Sequence, residues 1–84
     1  MTPADRFAAN LVKARKTRGI TQQGLAERCG LHRTEISLLE RGGREPRLGT
    51  IVKLAGALGV PLESLCSGIR WDEDAQRFRP AGKR

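Results

Sequence analysis

A glycine at position 30, set between two short amphipathic runs, limits what this chain can become more than any other feature. The first run opens at Thr21, whose hydroxyl oxygen can accept an otherwise unpaired amide of the first helical turn. It continues through Gln22 and Gln23 to Leu25, Ala26 and Cys29, apolar at the spacing of one helical face. Gly30 supplies the residue that tolerates a left-handed backbone where a helix stops. Leu31 is placed to plug the corner, and His32 takes the next N-cap position. Glu35 follows three residues on, the spacing of a capping box. Ile36 and Leu39 face inward on the second run, and Gly42 ends it. A helix of about 8 residues is marginal alone in water, because nucleation is costly below roughly 12–15 residues. Such a pair must lean on neighbouring helices, which leaves part of the second helix free for another surface.

The flanking sequence supplies those neighbours. A helix is expected from about Ala4 to Arg18, with Pro3 near its start and Gly19 at its end. Its buried stripe is Phe7, Leu11 and Ala14. Another helix is expected from about Leu48 to Leu58, carrying Ile51, Leu54, Ala55 and Leu58 at i, i+3, i+4 and i+7. Pro61 should take the first position of a fifth helix with a second stripe of Leu62, Leu65, Cys66 and Ile69. Those four anchors exceed what closing a small bundle requires, so Leu62, Leu65 and Ile69 are expected to build a dimer contact, with simple closure of the monomer core as the alternative.

The tail changes character. Ile69-Arg70-Trp71 and Gln76-Arg77-Phe78-Arg79 flank the turn-rich Asp72-Glu73-Asp74-Ala75, which suggests a short β-hairpin over residues 69–79. An isolated hairpin is marginal in water, so Trp71 and Phe78 should cover either the bundle edge or a second subunit. Residues 80–84 are expected to be disordered. The expected fold class is all-α, with a compact five-helix domain over residues 1–68 and an extension over 69–84.

Composition narrows the function. Eighty-four residues make one small domain without room for a deep catalytic cavity. Sixteen Lys and Arg against nine Asp and Glu give +7, and twelve of those cations are Arg, whose planar fork suits phosphate or guanine. The balance favours a polyanionic partner. No apolar run is long enough for a membrane span and no basic-then-apolar leader is present, so a cytoplasmic protein is expected. Cys29 and Cys66 fall on apolar helix faces, as buried thiols rather than a disulfide. One His and two distant Cys do not form a zinc site. With no catalytic constellation either, no metal, cofactor or enzymatic activity is expected.

Several strings in this sequence carry a resemblance. Thr21-Gln22-x-x-Leu25-Ala26, Gly30-Leu31, Ile36-Ser37-x-x-Glu40-x-Gly42 and Pro46 are similar to the phage-repressor-like helix-turn-helix family, also called the XRE family. The match continues through Ile51-x-x-Leu54-Ala55-x-Ala57-Leu58-Gly59-Val60-Pro61 and upstream through Leu11-x-x-Ala14-Arg15. The resemblance implies a lambda-repressor-like DNA-binding domain whose second motif helix enters the major groove by its N-terminal end. The positions matching the family's base-reading sites are Arg33, Thr34 and Leu38, with Ser37 beside them. Arg33 suits a bidentate contact to guanine or a clamp on phosphate, and Thr34 can bond either base type or touch a thymine methyl. Leu38 lies two residues after Ile36, so ~200° around the helix on the face expected to be wet. It is either a thymine-methyl contact or idle.

Gln22 matches the family's phosphate-binding glutamine, at a helix N-terminus that adds its own free amides. Arg41, Arg44 and Arg47 are candidates for flanking phosphates, with plain solvated charge as the alternative for each. The resemblance also implies an ion pair between Arg15 and Glu40, both beside the inward faces of their helices. Gly24 and Gly49 depart from the family, which usually has acidic or polar residues there.

The expected activity is therefore sequence-specific binding of double-stranded DNA by a transcriptional regulator. One helix reads ~4 to 5 base pairs at most, so a homodimer on an inverted repeat is expected. Two other readings stay open. One is an antitoxin-type interaction protein whose extension, with Trp71 and Phe78, grips a protein partner. The other is a controller of a restriction–modification system.

Overall fold

The computed structural model describes residues 2–79, and the expectation for residues 80–84 lies outside the described residues. Helix α1 spans Pro3–Arg18. Its first turn is closed from both sides: the Asp5 amide donates to Thr2 Oγ1 at 3.1 Å, and the Thr2 amide donates to Asp5 Oδ2 at 3.2 Å. Ala4, Phe7, Ala8 and Leu11 are buried along one face. Helix α2 spans Gln22–Cys29, with the Gly24 amide donating to Thr21 Oγ1 at 2.9 Å. Gly30 turns the chain at φ 69°, a left-handed conformation that costs glycine nothing. Leu31 lies half-buried against the core, and α3 begins at once.

Helix α3 spans Arg33–Glu40 and buries Ile36 and Leu39. The expected capping box at its start does not form, because His32 makes no side-chain cap bond. The first turn closes on main chain alone, with the Glu35 amide donating to the His32 carbonyl at 3.0 Å. The helix stops at Glu40, two residues before the expected glycine. Gly42 follows at φ 73°, where a side chain's first carbon would stand 2.7 Å from Asp5 Oδ1. Glycine is required there twice over, and the exit from α3 docks on the first turn of α1.

Helix α4 spans Leu48–Leu58, burying Leu54, Ala55 and Leu58. Helix α5 is where expectation and structure part. It covers only Leu62–Leu65, and Pro61 is its N-cap rather than its first residue. Cys66 ends the turn, half-buried rather than on a continuing apolar face, and Gly68 reverses the chain at φ 85°. The end of α5 is held by α1. Asn10 Nδ2 donates to the carbonyls of Leu65 and Ser67, each at 2.9 Å. Asn10 thus ties the end of α5 to α1.

Strands β1 (Arg70–Asp72) and β2 (Arg77–Arg79) pair antiparallel, with Arg70 opposite Arg79, Trp71 opposite Phe78 and Asp72 opposite Arg77. Trp71 and Phe78 meet edge to face, centroids 5.1 Å apart and planes at 75°. They remain 53% and 45% exposed, covering each other, and Phe78 edges a small crevice at α1. The core is one cluster, with Phe7, Leu11, Leu25, Ile36, Leu39, Leu54 and Leu65 fully enclosed. Among the described residues, no helix is long and apolar enough to cross a membrane, and no group of His, Cys, Asp and Glu is placed to hold a metal.

Candidate nucleic-acid interface

Burial of Ile36 and Leu39 decides which side of α3 is free. Arg33 and Thr34 are exposed at its N-terminal end, and Ser37 is half-buried one turn later. Because His32 contributes no side-chain cap, the amides of that first turn are left without a side-chain acceptor. The helix start therefore combines unpaired donors, a partial positive charge and Arg33, the features that attract an anion.

Behind this end lies a chain of polar contacts. Arg15 Nε donates to Glu40 Oε2 at 2.5 Å and Arg15 Nη2 donates to Oε1 at 3.1 Å. Arg15 Nη1 reaches the Ile20 carbonyl at 2.9 Å, so one guanidinium ties the end of α1 to the turn before α2 and to the end of α3. The two side chains are 13% and 6% exposed. The hydrogen bond from Glu40 raises the Arg15 pKa further above its ordinary value, against the opposing effect of desolvation. Gln22 Nε2 donates to Glu40 Oε1 at 2.9 Å, and Gln22 Oε1 accepts from Arg33 Nη1 at 3.5 Å. Gln22 is thus half-buried between the pair and the free end of α3, with one amide proton unused among the described residues.

The loop after α3 holds the other cations. Arg41 Nε bends back to the Ser37 carbonyl at 3.3 Å, and Arg44 and Arg47 are exposed. Leu38 departs from the expectation of a wet, free side chain. It is half-buried, and its Cδ1 lies where a side chain at Gly43 would begin, with Cγ at 3.1 Å from that point. The loop folds back so closely because the Gly43 amide donates to the Leu38 carbonyl at 3.0 Å.

The dimer candidates separate. Leu65 is fully enclosed in its own core and offers no surface, and Ile69 packs against that same core. Because α5 is a single turn, Leu62, Leu65, Cys66 and Ile69 do not form one helical stripe. Leu62 stays 43% exposed, and Trp71 and Phe78 are open on the hairpin. Cys29 is buried, with Sγ 3.6 Å from the Lys53 carbonyl, and burial raises its thiol pKa despite the opposing Lys53 charge. Sequence reasoning missed Asn10. Its only signal was a polar residue three positions after Phe7, on the flank of the buried stripe.

Residues 11–65 match the helix-turn-helix (HTH_3) family. An uncharacterized HTH-type transcriptional regulator of Bacillus subtilis, YqaE, is 37% identical over 62 residues, which are 74% of this chain and 53% of that one. The chain thus spans about half the length of that relative. The control protein C.SmaI of Serratia marcescens is 40% identical over 59 residues, 70% of each chain. The crystal structure of the restriction-modification controller protein C.AhdI from Aeromonas hydrophila superposes with a TM-score of 0.72 at 35% identity, covering 74% of this chain and 94% of that one.

Proposed function

This chain belongs to the helix-turn-helix family, and from that premise we propose that it is a transcriptional regulator binding double-stranded DNA as a homodimer on an inverted repeat. The observation that carries the reading is the free N-terminal end of α3, with Arg33 and Thr34 exposed over the buried anchors Ile36 and Leu39. In this reading Arg33, Thr34, Ser37 and Leu38 meet base edges in the major groove. Gln22, Arg41, Arg44 and Arg47 meet the phosphates on either side, which fixes the register. Residues 1–68 act as the DNA-binding unit and residues 69–84 as its extension. Leu62, Trp71 and Phe78 are the exposed apolar candidates for the contact between subunits. The reading assigns the chain no catalytic step and places it in the cytoplasm.

A controller role in a restriction–modification system is the more specific form of this function. It is favoured by the likeness to C.AhdI over 94% of that protein's chain. An antitoxin-type role draws on the exposed Trp71–Phe78 pair as a grip for a protein partner.

The test separates reading from clamping. Arg33→Ala should relax preference at one base pair by ~1–3 kcal/mol. Arg44→Ala should weaken all sequences alike and lower the salt slope by about 1. Unchanged affinity and unchanged sequence preference in Arg33→Ala would show that α3 does not dock as proposed.

A further inference from the structure

We propose that the hairpin is a second DNA-contact element, with Arg70 and Arg79 together gripping backbone phosphate beyond the bases that α3 reads. The inference rests on the reading of α3 as a duplex-binding helix. Its own evidence is the register of the strands. Alternation places Trp71 and Phe78 on one face and Arg70, Asp72, Arg77 and Arg79 on the other, with Arg70 directly opposite Arg79. Like charges in that position destabilise a strand pair. The other two pairs, Trp71 with Phe78 and Asp72 with Arg77, are favourable, but in a hairpin of three pairs they leave the Arg70–Arg79 repulsion in place.

Asp72 gives only partial relief. Its Oδ2 lies 4.0 Å from Arg79 Nε, and its Oδ1 accepts the Asp74 and Ala75 amides at 3.0 and 3.1 Å. Arg70 has no ion-pair partner among the described residues. A phosphate between two exposed guanidinium forks turns the repulsion into attraction, with charge-assisted bonds to both.

Placement fits the same polyanion. The root of the hairpin borders α1's first turn, where Phe78 and Arg79 line a crevice with Thr2, Pro3 and Arg6. Arg6 Nε is buried there without a hydrogen-bond partner among the described residues and adds a third cation to that end. The same turn carries Asp5, which meets Gly42 at the exit of α3, next to the loop holding Arg44. The hairpin and the reading helix are therefore joined through one turn of α1.

Fluorescence anisotropy of the full chain on a labelled random-sequence duplex of about 30 base pairs, across a salt series, tests the proposal. The Arg70→Ala/Arg79→Ala variant should lose about 0.9 from the salt slope, for the one phosphate the two share, and bind roughly five-fold more weakly near 150 mM salt. Asp72→Asn keeps the turn acceptor but frees Arg79, and should bind more tightly with a steeper slope. Trp71, the single tryptophan, lies on the opposite face and reports by its emission whether the hairpin is intact. Wild-type slope and affinity in the double variant, with Trp71 emission unchanged, would overturn the proposal, as would Asp72→Asn without tightening. A wild-type chain that shows no salt-dependent duplex binding would instead overturn the function of α3, and the inference with it.

Discussion

The guanidinium of Arg15 and the carboxylate of Glu40 face each other through two hydrogen bonds, of 2.5 and 3.1 Å, in a site from which water is largely excluded. A pair so enclosed contributes little net stability compared with apolar packing, but it is costly to break. Arg15→Ala leaves Glu40 buried with Gln22 as its remaining side-chain donor, and should cost about 3–5 kcal/mol. Urea unfolding checks this. Arg15→Met combined with Glu40→Leu should cost much less than the two single changes summed, since no charge is then stranded.

Two glycines at exposed positions should respond in opposite ways. Nothing lies within 4 Å of a first side-chain carbon at Gly56 in α4, so Gly56→Ala should stabilise by up to about 1 kcal/mol through helix propensity alone. At Gly43 the added carbon collides with Leu38 Cδ1 and crowds the Leu38 carbonyl at 3.3 Å. Gly43→Ala should displace Leu38 on the side proposed to face DNA and alter base preference, while Gly56→Ala leaves it alone. Thermal unfolding and a competition panel of duplexes measure the two effects.

Acid stability should carry a small contribution from Asp5. Hydrogen bonds from the Thr2 amide and then its hydroxyl hold this carboxyl below its ordinary value of 3.8. A group whose folded pKa lies below its unfolded one stabilises the fold above the unfolded value, and that stability is lost as pH falls through the folded one. Asp5→Asn should therefore be less stable than wild type at neutral pH, with the gap closing as pH falls below about 4. Melting curves that stay parallel down to pH ~2 would contradict the assignment.

Much of this arrangement is legible in the sequence. The bounds of α4 follow from Ile51, Leu54, Ala55 and Leu58, because one helix propensity and one apolar face decide them. The same periodicity in α3 fixes Ile36 and Leu39 inward, and so leaves Arg33 and Thr34 outward. The length of α5 was not legible, and the side chain that holds its end, Asn10, lies 55 residues from Leu65 in sequence. The position of Leu38 depends on the path of the loop back to Gly43, which no local pattern encodes. Alternation around Trp71 and Phe78 points to the hairpin. The opposition of Arg70 and Arg79 appears only once the register is fixed.

The most direct test of the central claim is selection of bound sequences from a random duplex library, run near 150 mM salt to suppress non-specific phosphate attraction. The account predicts enrichment of an inverted repeat whose half-sites lie about one helical turn apart, or a multiple of it. No enriched sequence, with binding that vanishes as salt rises, would contradict it and leave α3 without a base-reading role.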